Sequence, residues 1–150
     1  MKKINFVVLA VITFLATACF KDTSVVFDKS LVEFALTVRS TPALGKTYPL
    51  INVAKGASIE TTINLVAAQR PNPETIKYSV DTKESTAQEG VHYVLADGGN
   101  IIIAANSSFG TTKIETKNVA NADVTLVLVL EGNETIKPSE NYKRIGFRIR

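Results

Sequence analysis

The chain has 150 residues, of which 45% are hydrophobic and 21% charged, and its formal net charge is +3. This length fits one domain, and the single cysteine excludes an intrachain disulfide. Seventeen basic residues stand against fourteen acidic ones. That near balance argues against the dense basic face with which a nucleic-acid-binding protein contacts phosphates.

The first residues have the features of a secretory signal. Lys2 and Lys3 form a charged start, and the stretch from Phe6 to Leu15 is apolar. A signal peptide combines these two parts and ends in small residues at a cleavage site. The apolar stretch is also shorter than the roughly 20 residues that a transmembrane helix needs. We therefore expect residues 1–18 to be removed from the mature protein.

The segment Leu15-Ala16-Thr17-Ala18-Cys19 contains the predicted cleavage site and the only cysteine of the chain. It resembles a bacterial lipobox, which implies cleavage before Cys19 and lipidation of that cysteine. Acyl chains would then anchor the protein in a membrane, and residues 19–24 would be a polar tether. The alternative is an ordinary secretory signal followed by a free thiol.

Residues 25–150 are predicted to form one β domain. Their apolar residues alternate with polar ones or form short runs rich in β-branched side chains, and no segment has the pattern of an amphipathic helix. The predicted strands are Val25–Phe27, Leu31–Val38, Tyr48–Val53, Ser58–Val66, Thr75–Asp81, His92–Leu95, Ile101–Ala105, Thr111–Thr116, Val124–Leu130 and Ile145–Ile149. About seven or more short strands separated by turns indicate an immunoglobulin-like antiparallel β-sandwich with Greek-key connections. A small barrel is the alternative.

Three of these strands allow more detailed predictions. The alternation in Leu31–Val38 places Val32, Phe34, Leu36 and Val38 on one face. Val124–Leu130 is apolar almost throughout, as in a central strand. The last strand carries Arg144, Arg148 and Arg150 on one face and Ile145, Phe147 and Ile149 on the other. Charged side chains often protect a sheet edge, so we expect an edge strand here.

The segment Asp97-Gly98-Gly99-Asn100 lies between two apolar runs. Its residues accept positive φ, as the tight turn of a hairpin requires. His92 to Ala105 is therefore predicted to be a hairpin.

A family resemblance rests on three segments: Ser85-Thr86-Ala87-Gln88-Glu89-Gly90-Val91-His92-Tyr93, Ile101 to Ala105 and Leu126 to Leu130. Together they are similar to the Calx-beta type of immunoglobulin-like module. With the lipobox, the chain resembles the small surface lipoproteins that accompany Sus-type glycan-uptake systems. The resemblance implies a seven-stranded sandwich with a binding or scaffold role. Calcium-binding members use clustered carboxylates, but His92 stands where Asp is common, so we predict neither a metal nor a cofactor.

Few residues could support catalysis. Serine, cysteine and zinc mechanisms need a positioned histidine or cysteine, and the chain has one of each. We interpret His92 as a packing residue at a turn. Asp81, Glu84 and Glu89 could in principle serve a carboxylate hydrolase, but they lie in polar loop sequence. We therefore expect a protein that is not an enzyme.

The candidate ligand contacts are aromatic, because flat rings stack on the apolar faces of sugars. The chain has no tryptophan, and the candidates are Tyr78, Tyr93, Phe109 and Tyr142. Tyr142 has a second interpretation as a corner tyrosine that ties a loop to a strand.

The sequence thus predicts a lipid-anchored, non-catalytic protein of the cell envelope. The resemblance implies an outer-membrane lipoprotein, periplasmic or surface-exposed, that acts as an accessory module in glycan capture. Its expected partners are a membrane and a polysaccharide, and nucleic acid is not among them. The alternative is a structural or adhesive module that contacts another envelope protein.

Overall fold

The structure is a computed structural model, which describes residues 28–150. The predicted signal peptide, Cys19 and the predicted strand Val25–Phe27 lie outside the described residues. The described elements are β1 (Leu31–Phe34), α1 (Ala35–Arg39), β2 (Leu50–Val53), β3 (Ser58–Val66), β4 (Glu74–Val80), β5 (Tyr93–Leu95), β6 (Asn100–Ile103), β7 (Phe109–Thr116), β8 (Val124–Gly132), β9 (Lys137–Pro138) and β10 (Arg144–Ile149). Every strand predicted between residues 28 and 150 overlaps one of these strands.

The strands form one hydrogen-bonded sheet in the order β2-β10-β8-β4-β6-β7-β3-β1-β9, and β5 joins it through β7. Most neighbours are antiparallel, but β2 and β10 are parallel, as are β1 and β9. β1 contacts β8 although four strands lie between them in this order. The sheet therefore curls around a common core. The all-β prediction is confirmed, and the described strands number ten where about seven were expected.

β8 is the central strand that its apolar sequence predicts. It lies between β10 and β4, and Leu126, Leu128 and Leu130 are at most 1% exposed. Side chains from the curled half of the sheet, such as Ile63 and Ile114, complete the same core. Burying each of these side chains contributes roughly 1.5–3 kcal/mol, and this burial stabilises the curl.

β10 has the predicted two faces but not the predicted position. Ile145, Phe147 and Ile149 are fully buried, as the alternation requires. The edge prediction is wrong, because β2 pairs with β10 on the side away from β8. The Gly146 N–H donates a 3.0 Å hydrogen bond to the Pro49 carbonyl at the start of this pairing. β2 is therefore the edge strand at this end of the sheet.

The predicted strand Leu31–Val38 ends after Phe34 and continues as α1. Val38, which was expected to share the core face, is 42% exposed. The prediction is wrong here because Thr37 donates a 2.8 Å hydrogen bond to the carbonyl of Arg144, which is 107 residues away in sequence. α1 has five residues, and among residues 28–150 no helix has the length and apolar character needed to cross a bilayer.

The hairpin predicted from His92 to Ala105 is also wrong. β5 and β6 both pair antiparallel with β7, at different levels, so they run in the same direction and do not pair with each other. Gly98 and Gly99 have positive φ values of 57° and 85°, as the turn sequence predicts. At these two glycines the chain bends away from β7 and toward β4. We call this bend the kink; after it, β6 pairs mainly with β4.

Candidate functional site

A cleft of about 640 Å³ opens where β4 and β5 separate above the kink at Gly98 and Gly99. Below the kink, β6 fills the space between β4 and β7. Above it, β5 stays with β7 while β4 stays with β8. Residues of the connection between β4 and β5, from Thr82 to Glu89, line the other side of the opening. We call this opening the β4–β5 cleft.

Tyr78 and Tyr93, two of the four candidate ligand contacts, line the β4–β5 cleft. They are only 4% and 3% exposed, so their rings serve the core. Thr112 Oγ1 lies 3.2 Å from the Tyr78 hydroxyl and donates a 2.8 Å hydrogen bond to Asp97. Burial raises the pKa of both tyrosines; the negative charge of Glu89 adds to the increase in each, as does that of Asp97 for Tyr78.

The lip of the cleft is tied to the start of β8. Ser85 Oγ accepts a 2.9 Å hydrogen bond from the Val127 N–H, and Thr86 Oγ1 accepts one of the same length from the Thr125 N–H. Among the described residues that line the cleft, Glu89 is the one charged side chain. The β4–β5 cleft therefore has a lip held by hydrogen bonds, a lining that is part polar and part apolar, and one carboxylate.

A second depression, of about 540 Å³, lies between α1, β3 and the start of β7, and we call it the α1 groove. Phe109 borders the α1 groove and is 58% exposed. Its strand partner Asn64 and the side chain of Arg39 line the same groove. The Arg39 Nε–H donates to the carbonyl of Ala35 at 3.2 Å, which directs the guanidinium along the helix. The groove thus combines an exposed ring with amide and guanidinium groups.

Tyr142, the fourth candidate, is 37% exposed and is not among the residues that line either depression. Its carbonyl accepts a 3.0 Å hydrogen bond from the Phe34 N–H. The backbone of Tyr142 thus ties the loop to β1. The corner interpretation assigned this role to the Tyr142 hydroxyl instead. The structure brings Tyr78 and Tyr93 together and leaves Phe109 and Tyr142 apart from them.

Two of the three loop carboxylates, Asp81 and Glu84, are paired with cations. Glu84 Oε2 lies 2.5 Å from Lys46 Nζ and accepts a 3.0 Å hydrogen bond from the Tyr48 hydroxyl. The hydrogen bond from Lys46, followed by that from Tyr48, lowers the pKa of Glu84. Asp81 lies 3.3 Å from Arg144. A general acid needs a raised pKa, so Glu84 has the opposite character.

His92 has the structural role that its sequence context predicts. Its Nδ1 accepts a 3.0 Å hydrogen bond from the Gln88 N–H, which fixes the turn before β5. Within residues 28–150, no group of three or more His, Cys, Asp or Glu side chains could hold a metal ion.

Arg39 and Asn64 were not identified from the sequence, because the α1 groove depends on a helix that the alternation of Leu31–Val38 does not predict. The exposure of Phe109 had a detectable signal. Counting back in steps of two from the buried Ile114 places residues 112 and 110 inside and residue 109 outside.

No protein-family model matches this chain, and no curated protein matches its sequence. The similarity to Calx-beta modules therefore remains a resemblance carried by the segments quoted above.

Proposed function

We propose that this protein is a lipid-anchored, non-catalytic module of the cell envelope that captures glycans through the α1 groove. The observation that carries the proposal is the Phe109 ring, which is 58% exposed beside Asn64 and Arg39. Such a ring stacks on the apolar face of a sugar, while amide and guanidinium groups bind its hydroxyls. Tyr78 and Tyr93 are buried, so the ring platform is assigned to Phe109 alone.

The proposed anchor is a lipidated Cys19, which would place the protein in the outer membrane, on its periplasmic or external side. The described chain starts at the end of the domain where β3 finishes, since Leu31 lies opposite Val66. The β4–β5 cleft lies toward the other end, because Leu95 pairs with Ile114 near the start of β3. A nine-residue strand such as β3 spans roughly 30 Å. A tether joined at Leu31 would therefore enter the domain at the end that holds Asn64 and the α1 groove, and the β4–β5 cleft would lie farther from the membrane.

The proposal includes an immunoglobulin-like sandwich of the Calx-beta type. It is supported by the curl that brings β1 against β8 and by the β5–β6 kink, through which one strand passes from one half of the sheet to the other. The non-catalytic part is supported by the pairing of Asp81 with Arg144 and of Glu84 with Lys46. Carboxylates engaged in this way are poorly placed for acid–base chemistry.

The test is binding of the full chain in detergent to an array of polysaccharides and oligosaccharides, with and without calcium. We expect saturable binding to one glycan class and a loss of about tenfold or more in Phe109→Ala, because stacking supplies much of the affinity. Tyr142→Ala removes an exposed ring that does not line the α1 groove and is the matched control. Absence of binding across the array, or equal binding by Phe109→Ala, would contradict the glycan proposal.

The anchor is tested separately. Cys19→Ser should leave the membrane fraction, because no acyl chain can then be attached. Membrane retention of this variant with unchanged processing would show that Cys19 is not the anchor.

Contact with another envelope protein is the second candidate function. It is favoured by the strand edges of the β4–β5 cleft.

A further inference from the structure

One wall of the β4–β5 cleft is a strand edge that continues beyond its partner. β4 pairs with β6 through Lys77, and the Tyr78 N–H then donates a 2.9 Å hydrogen bond to the Gly99 carbonyl. The Asp81 N–H donates to the Val127 carbonyl of β8 at 2.9 Å. Backbone groups alternate in direction along an antiparallel strand. The N–H and C=O of Val80 therefore point away from β8 and into the cleft.

The opposite wall is the edge of β5. The Lys117 N–H donates to the His92 carbonyl at 2.8 Å, and the Ala96 N–H donates to the Lys113 carbonyl at 3.1 Å. Residues 92, 94 and 96 therefore direct their backbone groups toward β7. By the same alternation, the N–H of Leu95 points into the cleft.

These groups have the geometry with which a sheet edge receives another strand. An edge that presents unpaired N–H and C=O groups is a template for pairing with an extended chain. Directly below the cleft, β6 occupies the equivalent place beside β4. Beside β4, the cleft therefore extends the position that β6 occupies next to residues 74–77. Its volume of about 640 Å³ lies within the usual range for ligand sites.

The charged side chains around the cleft indicate which class of ligand it would bind. Glu89 is the one charged side chain among the described lining residues. Asp97, held by Thr112, adds a second carboxylate close to Tyr78. Both carboxylates are exposed to solvent, and their negative charge favours a cation over an anion near the cleft.

We propose that the β4–β5 cleft binds an extended peptide segment that carries a lysine or arginine side chain and adds as a short strand to the β4 edge. The N–H and C=O of Val80 and the N–H of Leu95 recognise the main chain, and Glu89 recognises the cation. This site is separate from the α1 groove and independent of the glycan proposal.

The test uses the full chain in detergent and a fluorescein-labelled seven-residue peptide of alternating valine and lysine, followed by fluorescence anisotropy. One matched control is an alternating valine–glutamate peptide. The other is a pair of valine–lysine peptides: one is N-methylated on the odd-numbered amides and the other on the even-numbered amides. We expect saturable binding of the valine–lysine peptide. Affinity should fall about tenfold or more for the glutamate peptide and for at least one methylated peptide, which lacks the main-chain donors.

Amide hydrogen exchange locates the peptide. Exchange should slow in the segments around residues 78–81 and 93–96 and stay unchanged in β2, which is an exposed strand edge elsewhere in the sheet. Glu89→Gln should weaken binding roughly threefold, whereas Glu60→Gln, on the exposed face of β3, should not. The proposal is overturned if both methylated peptides bind as tightly as the parent, if the glutamate peptide binds equally well, or if protection appears in β2 instead.

Discussion

The β4–β5 cleft and the α1 groove use aromatic side chains in opposite ways. In the cleft, Tyr78 and Tyr93 are at most 4% exposed and form the wall of the core. In the groove, Phe109 is 58% exposed and stands on the outer face of β7. The cleft therefore offers backbone edges and a carboxylate to a ligand, whereas the groove offers a ring face. An aromatic residue near a depression contributes to binding only where its ring is accessible.

The largest expected effect is a difference in the free energy of unfolding between alanine variants of Tyr93 and Phe109. Tyr93→Ala should lower the free energy of unfolding by about 3–5 kcal/mol, because it empties a core position that is 3% exposed. Phe109→Ala should change it by no more than about 0.5 kcal/mol. Urea unfolding followed by circular dichroism gives both values. Tyr93→Phe keeps the ring and should unfold close to the wild type; similar losses in the two alanine variants would break the comparison.

The kink below the cleft should be the next most sensitive place. A Cβ at residue 99 would lie 2.9 Å from the Tyr78 carbonyl oxygen, on a backbone with φ of 85°. Gly99→Ala should therefore cost roughly 2–4 kcal/mol, from left-handed backbone strain plus the collision. Gly98→Ala, with nothing within 4 Å of its Cβ, should cost only about 1–2 kcal/mol.

Urea midpoints of the two alanine variants measure this difference. Equal midpoints would show that the kink tolerates a side chain at residue 99 and that the close approach to Tyr78 does not constrain the cleft. Gly98→Asn should be milder than Gly98→Ala, because asparagine accepts positive φ more readily.

Much of the fold follows from local sequence. Ser58–Val66 is predicted with both of its bounds, because its alternation matches one buried and one exposed face. The pairing of β5 and β6 with β7 and β4 is not predictable in this way. Gly98 and Gly99 permit a hairpin as well as a kink, and the choice depends on strands far along the chain. The same holds for α1, whose Thr37 binds the Arg144 carbonyl 107 residues away.

The sequence named aromatic candidates for the site but did not predict their geometry. Tyr78, Tyr93 and Phe109 all border depressions, yet their exposure depends on the inward or outward direction of each strand position. The backbone groups of Val80 and Leu95 carry no side-chain signal at all. They become available only because β4 and β5 part above the kink, which is a property of the whole sheet.

The smallest expected effect is a pH dependence on the cleft side of the molecule. Glu84 lies in the turn before the lip of the cleft, and hydrogen bonds from Lys46 and then Tyr48 hold its pKa below the ordinary 4.5. Because the folded state favours the carboxylate, its contribution to stability is present above about pH 4.5 and is lost as the pH falls through the lower folded pKa. Glu84→Gln should therefore melt below the wild type at neutral pH, and the two melting temperatures should converge in acid.

Lys46→Met should lose most of the extra stability that Glu84 gives the wild type at neutral pH, since the hydrogen bond from Lys46 is the largest cause of the lowered Glu84 pKa. Both variants should leave the proposed glycan binding at Phe109 unchanged, because Glu84 and Lys46 do not line the α1 groove. Thermal melts followed by circular dichroism from neutral to acidic pH measure the convergence. Melting curves of wild type and Glu84→Gln that stay parallel through this range would show that the Lys46–Glu84–Tyr48 contact does not stabilise the turn, because a carboxylate favoured in the folded state must lose that advantage on protonation.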